Sequence, residues 1–374
     1  MSAVTSRVPA AALPQRRKVR RTPRELLERP LIIAGSVGVA MALLFAVTPL
    51  SGRLGWVLCT YGGFIVLDAL DNCQRYGSVV AKDRIATVLI ATAGLCTVVP
   101  LILIVGYVVS NGLGGITTNF FTETLEAVGP ADPATVGGAK HAIIGTLQQV
   151  GLATLLSTPL GLFTAVHLAE SRGRLARVTR VLVDAMSGIP SIVAGLFIYT
   201  MWVVRFDQGF SGLAAAMALS VLMLPTIART AEEVIKLVPN GLRESSLALG
   251  APEWKTMLRI ILPAARSGIV TATVLGISRI AGETAPLLST AFGTDSVNTN
   301  PFTGPQSALP LFAFQRVRNA VPAQIARGWA GALVLIALVL ILFTIARAAG
   351  GWGASPRQWR REPPKTVART RKVR

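Results

Sequence analysis

Glu244-Ser-Ser-Leu-Ala-Leu-Gly250, followed after nine residues by Ile260-Ile-Leu-Pro263, stands in a polar interlude between two apolar runs of the chain. Pro239 interrupts the run before it. Residues 242–249 then read as about two helical turns closed by Gly250, a residue free to take the left-handed conformation that ends a helix. Pro252 stands where a new helix would begin, and Glu253 in its first turn suits the positive end of the helix dipole. Trp254, Met257, Leu258, Ile261 and Leu262 recur at helical spacing, so one apolar stripe needs burial, while Arg243, Lys255, Arg259 and Arg266 take the other faces. Periodicity alone leaves three destinations open for that stripe: a partner's groove, the chain's own bundle, or the lipid surface.

What flanks the interlude is membrane. Of 374 residues, 52% are hydrophobic and only 15% charged, with mean hydropathy +0.56, which excludes an ordinary soluble globule. A hydrocarbon core of about 30 Å takes roughly 20 helical residues. Apolar runs of that order occupy residues 31–50, 85–109, 142–168, 181–204, 213–228, 268–292 and 329–346, and a shorter one, 54–70, ends at Asp68 and Asp71. Eight spans place eight Lys and Arg in residues 1–30, three in 71–84, four in 169–180, six in 229–267 and eight in 350–374 on one side. The other side receives only Arg53, Lys140, Arg205, Arg316, Arg318 and Arg327. That bias is the positive-inside signature; it favours eight spans over seven and makes both termini cytoplasmic. The expected organisation is a basic tail (1–30), a transmembrane hairpin (31–84), a transmembrane domain (85–349) enclosing the cytoplasmic loop 229–267, and a second basic tail (350–374). Residues 31–50 exceed the length of a signal-peptide core of about 7–15 residues and read as a retained anchor.

The net charge of +19 is therefore topological, and no nucleic-acid partner is expected. Arg16-Arg-Lys-Val-Arg-Arg21 and Arg369-Thr-Arg-Lys-Val-Arg374 suit anionic lipid head groups instead. Cys59, Cys73 and Cys96 make no disulfide framework or zinc spacing, and the isolated His141 and His167 suggest packing roles. With neither a nucleophile beside a base nor a phosphate-cradling G-x-x-x-x-G-K-[ST], the chain reads as a non-enzyme without metal or cofactor of its own.

Ionisable residues inside an apolar run need a reason, because each costs about 2.5–3.5 kcal/mol even on the milder insertion scale. Arg279 and Glu283 lie within Ser278-Arg-Ile-Ala-Gly-Glu-Thr-Ala-Pro286 and, four apart on one helix, are expected to share a face and pair. Arg229 ends the run 213–228, where a helix pair brings it towards the same cavity. A guanidinium stays charged in a low-dielectric site and presents a fork of donors that matches tetrahedral oxyanions. Two of them around one cavity point to an anionic substrate, with Glu283 holding Arg279 or accepting a proton from monoprotonated phosphate.

The interlude's spacing resembles the coupling loop of ABC-importer permeases, in which Glu-Ala-Ala is followed by three residues, Gly, nine residues and Ile-x-Leu-Pro. Here Glu244, Ser245, Ser246, Gly250, Ile260, Leu262 and Pro263 occupy those positions, with Ser-Ser in place of Ala-Ala. Arg279-Ile-Ala-Gly-Glu-Thr-Ala-Pro-Leu-Leu288, Ile189-Pro-Ser-Ile-Val-Ala-Gly-Leu-Phe197 and Lys236-Leu-Val-Pro-x-x-Leu-Arg-Glu244 are similar to the PstA family of bacterial phosphate importers, over about residues 85–349. The resemblance implies an all-α polytopic protein of the type I ABC-importer transmembrane-domain fold, a six-helix core to which the N-terminal hairpin is an addition. It implies a bacterial inner-membrane location and phosphate passage along Arg279 and Arg229. The implied partners are a sister permease PstC, two PstB ATPases that bind the ATP and Mg, and a phosphate-binding PstS; the expected receiving place for PstS is an outer mouth built partly from residues 111–138 and 294–326. Permeases for sulfate, molybdate or phosphonate share the coupling loop and form the nearest alternative; a secondary transporter or a membrane phosphate sensor is more distant.

Overall fold

A computed structural model describes residues 35–39, 53–171 and 173–351. Its helices divide into two compact units, residues 1–103 and 104–374. In the first, α1 (Arg53–Tyr76) and the start of α2 (Ser78–Gly112) lie side by side. Tyr61 Oη donates to Thr92 Oγ1 at 2.7 Å, Arg84 pairs with Asp68 at 3.3 Å, and Arg75 pairs with Asp71 at 2.7 Å, so both acidic residues at the end of the run are neutralised within this unit. The predicted span 31–50 lies outside the described residues except for the helical residues 35–39.

The second unit is built around α6 (Gly212–Lys236), flanked by α3 (Lys140–Glu170) and α8 (Leu262–Ala281), and α10 (Pro322–Gly351) packs on α8 in turn. Ala214, Ala215, Ala216 and Ala218 of α6 have no exposed surface. Between apolar helices in lipid, attraction comes from close packing, and small residues permit the approach. Gly161 of α3 and Gly276 of α8 both lie against Ile227 of α6, where an added Cβ would come within 2.9 and 3.0 Å of that side chain. By contrast α2 leaves Ile90 and residues 101–104 exposed, as suits a helix facing acyl chains.

Among the described residues, five helical stretches are long and apolar enough to cross a membrane: Ser78–Gly115, Lys140–Glu170, Gly212–Lys236, Glu253–Ala281 and Pro322–Ala348. A sixth arises if the bent pair Arg174–Ser187 and Ser191–Arg205 is one broken span. The sequence reading is corrected at two of these places. Residues 181–204 are not one continuous helix: α4 (Arg174–Ser187) and α5 (Ser191–Ile198, continued to Arg205) meet at 103°. Pro190 has no N–H to donate and disfavours helical backbone at Ile189, so the chain turns there. Residues 268–292 are likewise two pieces. The first ends at Ala281, and α9 (Ala285–Thr290) restarts with Pro286 near its first position, because Pro286 cannot bond the Gly282 carbonyl that a continuous helix would offer it. Residues 54–70 are helical throughout within α1, but α1 is not among the stretches apolar enough to span.

Candidate coupling surface and translocation groove

The polar interlude folds as α7 (Asn240–Ala248), a turn, and a short helix from Glu253 that runs through a π-turn at Met257–Ile261 into α8. Gly250 has φ +80°, the left-handed conformation its position requires, and Pro252 precedes the restart. Ser246 Oγ and Thr256 Oγ1 meet at 2.7 Å while buried, fastening α7 to the next helix. Arg243 forks onto Glu170 at the end of α3, with Nη1 donating to Oε2 at 2.7 Å and Nη2 to Oε1 at 2.5 Å. A bidentate pair of this kind fixes orientation as well as distance. The loop is thereby a rigid extension of the bundle.

Its apolar stripe divides between two destinations. Met257 and Ile261 are buried against Ala165, Ala231, Ile235 and Ala265 of the chain's own bundle, and Leu262 packs beside them. Trp254 and Leu258 are 63% and 56% exposed, and α7 and its turn add Leu242, Leu247 and Leu249, the last 89% exposed. Glu244, Ser245, Gly250 and Pro263 are exposed, Ile260 is half-buried, and Ser246 alone of the motif positions is buried. The second serine of the motif is thus an internal hydrogen-bonding group.

Arg279, exposed on the last turn of α8, donates from Nη1 to Thr226 Oγ1 of α6 at 3.1 Å. Thr226 is three residues before Arg229, so Arg279 meets α6 about one turn from the other arginine expected at the same cavity. The pairing expected between Arg279 and Glu283 does not form. The helix ends between them, and the Glu283 N–H instead closes a turn onto the Ile280 carbonyl at 3.1 Å. Arg229 is held by two carboxylates, Asp184 of α4 and Glu232 one turn along α6 at 3.1 Å. Glu232 is wholly buried, and its Oε1 also accepts from Arg180 Nη2 at 2.8 Å and Lys236 Nζ at 2.6 Å. Sequence reading singled out neither Glu232 nor Asp184. The spacings Arg229–Glu232 and Glu232–Lys236 carried a local signal, whereas the α4 partners become visible only after the bend at Pro190.

At the end of α6 away from the polar interlude, the segments expected to make one mouth are joined. The Leu125 N–H donates to the Asp295 carbonyl at 3.3 Å, Gln324 Nε2 to the Pro130 carbonyl at 3.1 Å, and Gln148 Nε2 to the Thr299 carbonyl at 2.9 Å. Arg327, 1% exposed, gives Nη2 to the carbonyls of Asp132, Pro133 and Val136. His141 is buried against the Phe312 ring, in keeping with a packing role.

A family profile described as the binding-protein-dependent transport system inner membrane component matches residues 157–350, which contain the polar interlude, Arg229 and Arg279. A Mycobacterium tuberculosis protein named phosphate transport system permease protein PstA 1 is 42% identical over 260 residues, 69% of this chain and 85% of its own length. The Mycobacterium leprae protein named PstA is 40% identical over the same length and shares. One from Yersinia pestis, also named PstA, is 39% identical over 268 residues, 71% of this chain and 89% of its own. Profile and relatives agree with the motifs: this chain is a multi-pass membrane transport subunit belonging to the binding-protein-dependent inner membrane component family, in its PstA branch.

Proposed function

We propose that this chain is the permease subunit of an ATP-driven inorganic phosphate importer, forming half of a translocation path whose other half is a sister permease of the PstC kind. One observation carries the mechanism. The helical stretch Glu253–Ala281 is unbroken, with exposed Trp254 and Leu258 at its start and Arg279 on its last turn. Twenty-five residues at about 1.5 Å each put roughly 38 Å between the ends of one rigid element. A displacement applied at the coupling surface therefore reaches the groove directly.

In this reading two PstB-type ATPases bind the ATP and Mg, and this chain contributes no nucleotide site. The exposed side chains of Leu247, Leu249 and Trp254 enter a groove on the ATPase, with Glu244 and Gly250 at the contact. ATPase closure carries α7, and through the Arg243–Glu170 fork it also moves the end of α3. A PstS-type protein delivers phosphate at the opposite end, over the joined segments 111–138 and 294–326. Arg279, whose partner among the described residues is a neutral hydroxyl, is the available cation for the anion in transit, while Arg229 nearer the loop must be released from Asp184 and Glu232 to join it. Glu283, not engaged by Arg279, accepts the hydroxyl of hydrogen phosphate. A modest number of cationic contacts suits a path that must also let the ion leave. Both termini are cytoplasmic in this topology, with their basic tails against anionic lipid.

The test is labelled-phosphate uptake and phosphate-stimulated ATP hydrolysis in vesicles holding this chain with its ATPase, sister permease and binding protein. Uptake should require ATP and disappear in Arg279→Gln with the complex still assembled. Preference for sulfate, molybdate or phosphonate would replace the substrate and keep the architecture. Uptake independent of ATP would refute the role of the coupling loop.

A further inference from the structure

Beside the coupling loop, between the end of α3, the start of α4 and the end of α6, lies an open cleft of about 520 Å³. Its polar lining is Arg177, Arg180, Lys236, Arg243, Ser171 and Asn240. Two carboxylates reach these cations: Glu232 takes Arg180 and Lys236, and Glu170 takes Arg243. Arg177 has no ion pair among the described residues and projects an exposed guanidinium at the rim. Glu232 is also shared with Arg229, so the cleft keeps an excess of positive charge beyond what its own carboxylates neutralise.

α4 supplies a second, independent observation. Leu175, Val178 and Leu182 are 68%, 55% and 58% exposed in a row at i, i+3 and i+7, next to the row Arg174, Arg177 and Arg180. The opposite side, Ala176 and Val183, is buried, with Val183 against Leu168 and Ala228. A short helix with adjacent basic and apolar edges, ending in a sharp bend before the next apolar helix, has the form of one lying in a membrane interface. The cleft on its basic edge is then at head-group depth, where basic pockets between helices hold phosphorylated head groups.

We infer that this cleft is a binding site for an anionic phosphoryl group at the membrane surface, with Arg177 as its free cation and Arg180, Lys236 and Arg243 as a preset rim. Two sources carry that chemistry: the head group of an anionic phospholipid, which the apolar edge of α4 favours because it can accompany the acyl chains, and free inorganic phosphate. Guanidinium forks and a lysine ammonium suit either oxyanion. Occupation would draw Arg180 and Lys236 towards the ligand, and both already hold the carboxylate that engages Arg229.

The test uses the full complex in a neutral detergent and reads its thermal midpoint during titration with short-chain phosphatidylglycerol, with phosphatidylcholine of the same chains, and with inorganic phosphate. Wild type, Arg177→Glu and Arg177→Lys are compared, and the ATPase content of each preparation is measured. Saturable stabilisation by phosphatidylglycerol but not phosphatidylcholine, weakened about tenfold or more in Arg177→Glu and largely retained in Arg177→Lys, establishes the site with a lipid ligand. The same pattern with inorganic phosphate alone establishes it with a free anion. Binding of either ligand that Arg177→Glu leaves unchanged belongs elsewhere, including the transport path, and overturns the assignment. So does the absence of any binding to an intact complex, or loss of the ATPase from Arg177→Glu, which would make the cleft a protein interface. Phosphate uptake by the wild type is scored separately, so failure here leaves the transport reading standing.

Discussion

Replacing Glu232 by glutamine keeps its shape and one acceptor oxygen but removes the charge on which three cations converge. Its carboxylate is wholly enclosed, with Arg180 at 2.8 Å, Lys236 at 2.6 Å and Arg229 at 3.1 Å. Charge-assisted hydrogen bonds contribute about 1.5–3 kcal/mol each, neutral ones about half of that, and removing one member of a fully buried pair costs about 3–5 kcal/mol. The partners here are not fully buried: Arg229, Arg180 and Lys236 keep 31%, 41% and 45% of their side-chain surface exposed. Water can take over part of their solvation, which lowers the expected loss to about 2 kcal/mol. For a unit of this size that corresponds to a fall of roughly 4–8 °C in the thermal midpoint. The assay is the thermal midpoint of the purified complex for Glu232→Gln, Arg180→Gln and the double variant. The two residues bond directly, so the double variant should lose clearly less than the two single losses added together. Additive losses, or a fall below about 1 °C for Glu232→Gln, would refute the view that this carboxylate ties α4 to α6. Asp184→Asn disturbs only Arg229 and should fall by less.

Other consequences are local. Gly195→Ala puts a Cβ 2.6 Å from the Pro286 Cα, a backbone atom that cannot swing aside, so α5 and α9 must separate at a cost of about 1–3 kcal/mol; an unchanged midpoint would contradict the close approach. Ser246→Ala leaves the buried Thr256 hydroxyl without its 2.7 Å partner and should cost about 1–2 kcal/mol, whereas Ser245→Ala, on an exposed hydroxyl bonded only to the Gly241 carbonyl, should stay within about 0.5 kcal/mol. Leu249→Asp adds a charge to an 89% exposed side chain and should leave the permease folded while abolishing phosphate-stimulated ATP hydrolysis; full stimulation in that variant would exclude Leu249 from the ATPase contact. Gly250→Ala, forced to φ +80°, should lower stability by about 1 kcal/mol through backbone strain, measured as a shift in thermal midpoint that a neutral surface change would not give.

The chain's linear order determined a large part of this protein. The apolar runs 85–109, 142–168, 213–228 and 329–346, a polar interlude with Gly250 and Pro252 at its turn, and the motif around Glu244 and Pro263 are local patterns, so they fold as read and they carry the family. Hydropathy is a sum over neighbours along the chain and is blind to where a helix breaks. That is why residues 181–204 and 268–292 each read as one span and are each two pieces, divided at Pro190 and ahead of Pro286. The broken ends had chemical consequences. Ending α8 at Ala281 dissolved the expected Arg279–Glu283 pair and gave Arg279 to Thr226, and the bend before α5 set Asp184 and Arg180 against α6. Tertiary packing alone decided that Met257 and Ile261 face inward while Trp254 and Leu258 remain available, and that Glu232 is the buried centre of a cationic cluster. A side chain's charge is written in the sequence, but its counter-ion is whatever the fold brings within 3 Å, and here that partner is as far away as 73 residues.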